Sequence, residues 1–372
     1  MTASPGSNPI GRSRGTVHGF EQLARKVGVP VPPREEEPPA VPPEDAADTG
    51  RFPTLRAHAF GDTPAGRLRD RARAVADESQ AGYTAATPQR GRGRGRRGGR
   101  GAGSAAPPPE LDAVPAMLDE LGLTPVAVAD GPPRFVLEAE EAVLRGLPPV
   151  PAGYGFKGGV ARKVLARTLR LDAFGSAVRD IDLLRDADTP GDDDHRLASL
   201  YMPDDLTLGE FGIEVLTDEG GYMGSRELTV NQLVLLGGRL TVTHACLLDT
   251  LGLTLRVTGA HLTRTRGYVH PGVALKALRF AANLTAEGGE PRVLPFRVTP
   301  RRMKHGFDFY FALHLSRVFE TGGAAAEVYT RLADDRGFLK RARLPVGASA
   351  EAAAGILKKR LAAYHLAFPE GV

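Results

Sequence analysis

The middle of the chain alternates between short apolar runs and stretches with helical periodicity, which is the pattern of a sheet flanked by helices. Apolar residues between 114 and 121 recur at helical spacing, and the pattern stops at Gly122. Apolar runs bounded by glycine, proline or polar residues predict strands at 134–137, 154–156, 179–184, 212–216, 234–236 and 240–243. The glycine pair 237–238 separates the last two runs and predicts a hairpin. The pattern as a whole predicts an α+β fold.

Residues 1–108 lack this pattern and are rich in proline, glycine, alanine and arginine. Such a composition buries too little apolar surface to offset the entropy lost on ordering, so we predict a disordered tail. Within the tail, residues 64–79 combine arginines with few apolar residues and predict a lone basic helix that orders on a partner. The sheet domain is then expected at 109–268 and a helical region at 269–372.

Three stretches predict the helical region. The first begins at Pro271 and includes Arg279. Residues 307–315 are apolar and aromatic, which is typical of a core helix. Residues 350–365 end in a basic cluster, where cations interact favourably with the helix dipole.

Composition narrows the class of protein. The 372 residues are 42% hydrophobic and 25% charged, and the formal net charge of +4 favours a polyanionic partner. The single cysteine, Cys246, excludes an internal disulfide, and its apolar neighbours predict a buried, unreactive thiol. No apolar run reaches the length of a membrane span, and the amino terminus has no signal-peptide core. We therefore expect a cytoplasmic protein with no membrane partner.

The segment 90–104 is the clearest low-complexity feature. It alternates arginine with glycine and carries six arginines between 90 and 100. Guanidinium groups on a flexible glycine chain can follow phosphates and stack on bases, so the segment predicts RNA or single-stranded DNA as a partner. A solvated linker is the alternative interpretation.

Acidic residues alternate with apolar ones in the run 179–184. Asp180 and Asp182 are two residues apart, so in a strand their carboxylates share one face about 6.5 to 7 Å apart. Hard oxygen ligands of this kind suit Mg²⁺, and Glu214 supplies a third if its strand pairs beside the first. An ordinary solvated strand end is the alternative. The acidic run 186–194 is interpreted as a solvent loop rather than as a second ion site.

A glycine pair interrupts the chain just upstream. Gly158 and Gly159 follow the apolar run 154–156 and precede a helical stretch that contains Arg162. Glycine lets the backbone approach a phosphate, and the N–H groups at a helix start attract its negative charge. The order of these pieces suits a triphosphate, although a glycine pair alone also makes a plain turn.

The order of motifs resembles the head and neck of the tRNA nucleotidyltransferase (CCA-adding enzyme) and bacterial poly(A) polymerase family, within the polymerase-beta-like nucleotidyltransferase superfamily. The motifs that carry the resemblance lie at 158–162, 180–183, 213–215, 226–233 and 278–282. The resemblance covers about a third of the chain and implies a small mixed sheet with flanking helices, followed by a short helical neck.

The resemblance also implies roles for particular residues. The implied ligands of two Mg²⁺ ions are Asp180, Asp182 and Glu214. The implied contacts of a nucleoside triphosphate, with ATP expected, are Gly158, Gly159, Arg162, Arg226, Asn231 and Arg279. The implied reaction adds nucleotides to the 3′ end of an RNA.

The chain departs from the family pattern at Lys163, Glu227 and Gln232, where the family has an acid, an aspartate and an alanine. These departures motivate an alternative, a non-catalytic RNA-binding or scaffold protein that keeps the head fold. The retention of all three acids favours the enzyme. A further alternative is nucleotidyl transfer to a protein or a small molecule, because the region after Leu284 is short for a tRNA-binding body.

Overall fold

A computed structural model of the chain describes residues 64–85, 110–128, 133–139, 141–171, 181–202, 213–263, 267–299, 306–364, 366 and 368. Several predicted features lie outside these residues. They include the predicted tail at 1–63 and 86–108 with its arginine-glycine segment 90–104, and Asp180, the first acid of the predicted metal site. Residues 179 and 212 of two predicted strands and residue 365 of the last predicted helix also lie outside them.

Helices make up much of the described part. In chain order they are α1 (Pro64–Ala85), α2 (Glu110–Glu120), α3 (Glu141–Leu144), α4 (Gly158–Thr168), α5 (Asp194–Tyr201), α6 (Glu219–Gly224), α7 (His244–Leu251), α8 (Pro271–Ala286), α9 (Phe307–Phe319), α10 (Gly323–Asp334), α11 (Phe338–Arg341) and α12 (Ala350–Arg360). The strands are β1 (Val126–Val128), β2 (Arg134–Glu138), β3 (Tyr154–Phe156), β4 (Leu183–Asp186), β5 (Glu214–Leu216), β6 (Leu233–Leu236), β7 (Arg239–Thr243), β8 (Thr254–Leu255), β9 (Tyr268–Val269), β10 (Arg292–Val293) and β11 (Arg297–Val298).

The main sheet has seven strands in the order β1-β2-β7-β6-β3-β4-β5. Neighbouring strands are antiparallel except β4 and β5, which are parallel. A parallel pair needs a crossover, and α5 lies on the connection between these two strands. The expected α+β class with a mixed sheet and flanking helices is confirmed.

The predicted hairpin joins β6 to β7. Gly237 and Gly238 have φ values of 56° and 81°, so both central residues occupy the left-handed region. This is the requirement of a type I′ turn, whose twist matches that of the flanking strands, and glycine meets it without a steric penalty.

Alternate residues of the sheet enter different cores. The larger core lies on one face and includes Leu183 of β4 together with Leu165 of α4 and Leu247 of α7. The opposite face carries a smaller cluster in which Leu184 of β4 packs with Tyr222 of α6. Successive side chains of a strand point to opposite faces, so β4 is buried on both sides.

Helix α1 corrects the prediction of a lone helix at residues 64–79, whereas the rest of the predicted tail, 1–63 and 86–108, lies outside the described residues. Leu68 and Ala72 are buried in the larger core, and Arg73 Nε donates a 2.8 Å hydrogen bond to the carbonyl of Gly252. The buried stripe of Leu68, Ala72 and Ala76 follows the i, i+4 spacing of a helix face. Two of its three members are alanines, so the stripe gives little hydrophobic signal in a sequence dominated by arginine.

The region after residue 270 forms a second core from α8, α9, α10 and α12. Leu278, Phe311, Tyr329 and Leu357 are among its fully buried side chains. The predicted helical region is therefore present, but it is not purely helical, because β10 pairs in parallel with β8 and β11 with β9. These pairs tie the helices to the end of the sheet domain.

None of the helices that the structure describes is both long and apolar enough to cross a bilayer.

His314 makes the stability of this helical core sensitive to acid. Its Nε2 lies 2.9 Å from the carbonyl of Gly272, so Nε2 carries the proton and donates. Burial, with the positive charges of Arg279, Arg317 and Lys276, holds the pKa of His314 well below the ordinary value of 6.5. As the pH falls below about 6.5, the unfolded chain gains a proton on this residue that the folded protein does not, so stability is lost.

We expect the free energy of unfolding to fall by roughly 1 to 2 kcal/mol more in the wild type than in His314→Gln between pH 6.5 and pH 5. Glutamine retains a donor and does not titrate. Urea unfolding at the two pH values measures the difference. Equal losses in the two proteins would show that His314 is not the source of the acid sensitivity.

Cys246 gives a second prediction. Its thiol is buried, and burial raises its pKa to about 12. At neutral pH a disulfide reagent should therefore label the native protein far more slowly than the urea-unfolded chain. Ser199→Cys, which adds an exposed thiol on α5, is the control and should react at once. Rapid labelling of one thiol per native wild-type molecule would contradict the burial.

Candidate active site

The turn between β3 and α4 requires glycine at its centre. Gly158 has a φ of 60°, a region that residues with a side chain rarely occupy. A Cβ atom at Gly158 would also overlap the carboxylate of Asp182. The missing side chain therefore allows the acid to lie directly against the first residue of α4.

Asp182 lies immediately before β4, so the predicted strand 179–184 begins later than expected. Strand β3 provides partners only for Leu183, Leu184 and Arg185, which explains the later start. The carbonyl of Asp182 still accepts a 3.0 Å hydrogen bond from the backbone N–H of Lys157. This bond holds the acid beside the turn.

Glu214 begins β5, and the strand pairing on which its expected role depends is present. Leu184 of β4 and Glu214 of β5 are directly paired in parallel. Ile181 and Leu183, on either side of Asp182, lie in the larger core. Ile213, just before Glu214, lies there too. Because successive side chains of an extended chain point in opposite directions, Asp182 and Glu214 are both directed away from that core, at the start of two adjacent strands.

Two cations hold the carboxylate of Glu214. Lys157 Nζ lies 2.8 Å from Oε2, and Arg226 Nη2 lies 3.6 Å from Oε1. Arg226 is one of the residues predicted from sequence, whereas Lys157 is not. The sequence signal that could have identified Lys157 is its position as a single basic residue directly before the glycine pair.

Tyr222 on α6 forms one wall of the same site. The guanidinium of Arg226 lies 4.1 Å from the centre of its ring, a cation-π arrangement. The pKa of Tyr222 is raised to about 12, mainly by burial, with the charge of Arg226 opposing and those of Glu214 and Asp182 adding. Both acids are therefore close enough to Tyr222 to disfavour a phenolate. Sequence reasoning missed Tyr222, whose short glycine-rich helix gives no motif.

A second group of polar side chains lies where α4 meets α8. Arg162 Nη1 donates a hydrogen bond to the side-chain oxygen of Asn231, and its guanidinium lies 4.7 Å from the centre of the Phe280 ring. Arg279 lies 5.2 Å from the same ring. Burial lowers the pKa of Arg162, and the charge of Asp182 is the largest opposing influence. Arg162 thus connects the two groups.

The segment 226–231 is held in place by a buried acid on α7. Asp249 is fully buried and accepts a 2.6 Å hydrogen bond from Thr229 Oγ1 and a 3.0 Å bond from Arg256 Nη2. Burial raises the pKa of Asp249, while Arg256 and Thr229 oppose that shift. Within the segment, Glu227 forms a 3.1 Å ion pair with Lys276 of α8.

The residues predicted from sequence therefore fall into two adjoining groups. Gly158, Asp182, Glu214 and Arg226 surround the turn, and Gly159 occupies the second position of α4. Arg162, Asn231 and Arg279 form the group beside α8.

Lys163 belongs to neither of these groups. It is buried, and the charges that act on it are those of Arg167 and Glu287. The side chain of Lys163 therefore lies near Arg167 and Glu287 rather than in the candidate site.

The donor atoms present suit a hard divalent ion. Asp182 and Glu214 supply carboxylate oxygens, and the missing Cβ of Gly158 makes room for the carboxylate of Asp182. Among the described residues, no group of three or more histidine, cysteine, aspartate or glutamate side chains could hold a metal ion, and that set does not include Asp180. The two described acids are consistent with Mg²⁺, with Asp180 required to complete the predicted set.

Arginine, lysine and two acids thus converge on the start of α4, an arrangement that can hold a phosphate beside a cation. No protein-family model matches the chain, and comparisons with curated proteins and with solved structures also give no match. The resemblance of the motifs to a nucleotidyltransferase head remains a prediction, and the geometry of the site is the basis for a functional proposal.

Proposed function

We propose that the chain is a metal-dependent nucleotidyltransferase that transfers nucleotides from a nucleoside triphosphate, with ATP expected, to the 3′ end of an RNA. One observation carries the proposal. Asp182 lies against the glycine turn that begins α4, and Glu214 begins the strand beside β4 and pairs with Lys157, the residue just before that turn. This arrangement brings metal-binding oxygens next to a phosphate-binding helix start.

Asp180, Asp182 and Glu214 would hold the magnesium ions. Bound Mg²⁺ would ease deprotonation of the acceptor hydroxyl and stabilise the charge that develops on the departing pyrophosphate. The contribution of the chain is to fix two of these carboxylates. The backbone bond from Lys157 holds Asp182, and the pairing with β4 holds Glu214.

The start of α4 would receive the triphosphate. Lys157, the residue before the helix, makes no side-chain capping hydrogen bond. The N–H groups of the first turn, beginning with Gly158 and Gly159, point out of the helix start and can bind an anion. Arg162 and Arg226 add positive charge on either side. Both are held in place by neighbours, Arg162 by Asn231 and Arg226 by Tyr222. Preorganised donors of this kind lose little entropy when they bind phosphate.

The group beside α8 would contact the sugar, the base or a phosphate. Asn231 is nearly buried and fixed by its bond to Arg162, so it presents a defined hydrogen-bonding edge. Arg279 reaches the same place from α8. An RNA acceptor would be gathered by the arginine-glycine segment 90–104, which lies outside the described residues.

A non-catalytic RNA-binding protein is the second candidate. The observation that favours it is the state of Glu214, whose two oxygens each face a cation. A carboxylate neutralised in this way can serve structure alone.

Transfer of label from α-labelled nucleoside triphosphates to RNA, in the presence of Mg²⁺, separates the two candidates. Asp182→Asn and Glu214→Gln should each lower the rate by about a hundredfold or more, because charge stabilisation by a metal is worth several kcal/mol. The exposed Asp188→Asn on the loop after β4 removes a nearby carboxylate from outside the site and should keep the wild-type rate. The non-catalytic candidate replaces the enzyme if the wild type labels no RNA and Asp182→Asn binds RNA as tightly as the wild type does.

Gly158→Ala tests the turn against which the Asp182 carboxylate lies. The added methyl group meets the Asp182 carboxylate and forces a side chain into the left-handed region, at a cost of about 1–2 kcal/mol. We expect a folded protein with a lower melting temperature and little nucleotidyl transfer. Gly224→Ala is the matched control, since a Cβ there meets nothing within 4 Å. Equal activity of the two variants would exclude a close role of the turn.

A further inference from the structure

Lys157 connects both acids of the site to the start of α4. Its backbone N–H donates to the carbonyl of Asp182 at 3.0 Å, and its Nζ lies 2.8 Å from Glu214 Oε2. The next residue along the chain is Gly158, the first of α4. Only 17% of the Lys157 side chain is exposed, so its ammonium is held within the site rather than in bulk solvent.

A metal ion that binds Glu214 Oε2 would compete with this ammonium for the same oxygen. A lysine ammonium donates hydrogen bonds to the same lone pairs that a divalent cation takes as a ligand. Glu214 Oε2 cannot serve both at full strength, because two positive charges on one oxygen repel each other. Ion binding at Glu214 therefore requires Lys157 to move.

The other cation on Glu214 is less able to leave. Arg226 lies over the Tyr222 ring and donates a 2.8 Å hydrogen bond to Ser225 Oγ, and its contact with Glu214 is the longer one at 3.6 Å. Lysine instead has a flexible four-carbon stem and a compact charge. Of the two cations, Lys157 is the one that can exchange.

We propose that Lys157 is an exchangeable counter-ion of Glu214. Its ammonium neutralises the Glu214 carboxylate when no divalent cation is bound, and it moves to the triphosphate when a divalent cation binds. The inference rests on the proposed function and adds a residue to it. The sequence motifs do not include Lys157.

The exchange has a simple electrostatic basis. In the absence of metal, Lys157 compensates the charge on Glu214 Oε2, while Arg226 faces the other oxygen. After it leaves Glu214, its stem is still anchored one residue before the first N–H groups of α4, and its charge is free for a phosphate at that helix start. Binding of the ion and of the triphosphate is then coupled through one side chain.

Mn²⁺ binding by the purified protein, followed by the electron paramagnetic resonance signal of the free ion, tests the exchange without reference to activity. Lys157→Met should bind Mn²⁺ about fivefold to tenfold more tightly than the wild type, because the competing ion pair is gone. Glu214→Gln should bind it more weakly. Arg167→Met removes one positive charge from the exposed face of α4, the helix that follows Lys157. It is the matched control, and its affinity for Mn²⁺ should be unchanged.

The double variant Lys157→Met/Glu214→Gln distinguishes exchange from a general charge effect. Exchange predicts that the gain from Lys157→Met disappears when Glu214 is absent, whereas a through-space effect leaves the gain in both backgrounds. Persistence of the gain, or unchanged affinity in Lys157→Met, overturns the inference while leaving the proposed function standing. A wild type that binds no Mn²⁺ and labels no RNA overturns both. Melting temperatures of all variants show whether each is folded.

Discussion

The buried carboxylate of Asp249 is the constraint on which the rest of the site depends. A fully buried acid is costly unless hydrogen bonds and an opposite charge compensate it. Thr229 and Arg256 supply both, and each belongs to a different part of the chain. The requirement to satisfy one acid on α7 therefore fixes the segment 226–231 against the sheet domain.

This fixed segment places polar residues on both sides of α4. Arg226 at its start reaches Glu214 of β5, and Asn231 at its end reaches Arg162 of α4. Between them, Glu227 pairs with Lys276 and so joins the segment to α8. A short stretch without regular strand structure thus determines how the helical region approaches the turn.

The resulting site balances its charges within a small space. The acids Asp182, Glu214 and Glu227 each lie near cations from other elements, namely Arg162, Lys157 with Arg226, and Lys276. Such mutual compensation stabilises the folded protein in the absence of a ligand. Because the acids and cations already compensate one another, a metal ion or a phosphate that binds here must replace an existing partner.

The sequence by itself determined the local elements, because their signals depend on near neighbours. The periodicity of α2, the hairpin at 237–238 and the burial of Cys246 follow from a few adjacent residues. The same was true of the sheet class and of the acids and glycines proposed for the site, since their motifs are short and local.

Only the tertiary structure decided what lies beside what. It showed that α1 packs on the core through an alanine stripe, that β4 begins at Leu183, and that Lys157 reaches Glu214 across 57 positions of the chain. These features arise from long-range packing and charge pairing, in which each partner is unremarkable in its own neighbourhood. The local sequence specifies which groups are available, and the pairing of β4 with β5 specifies which of them meet.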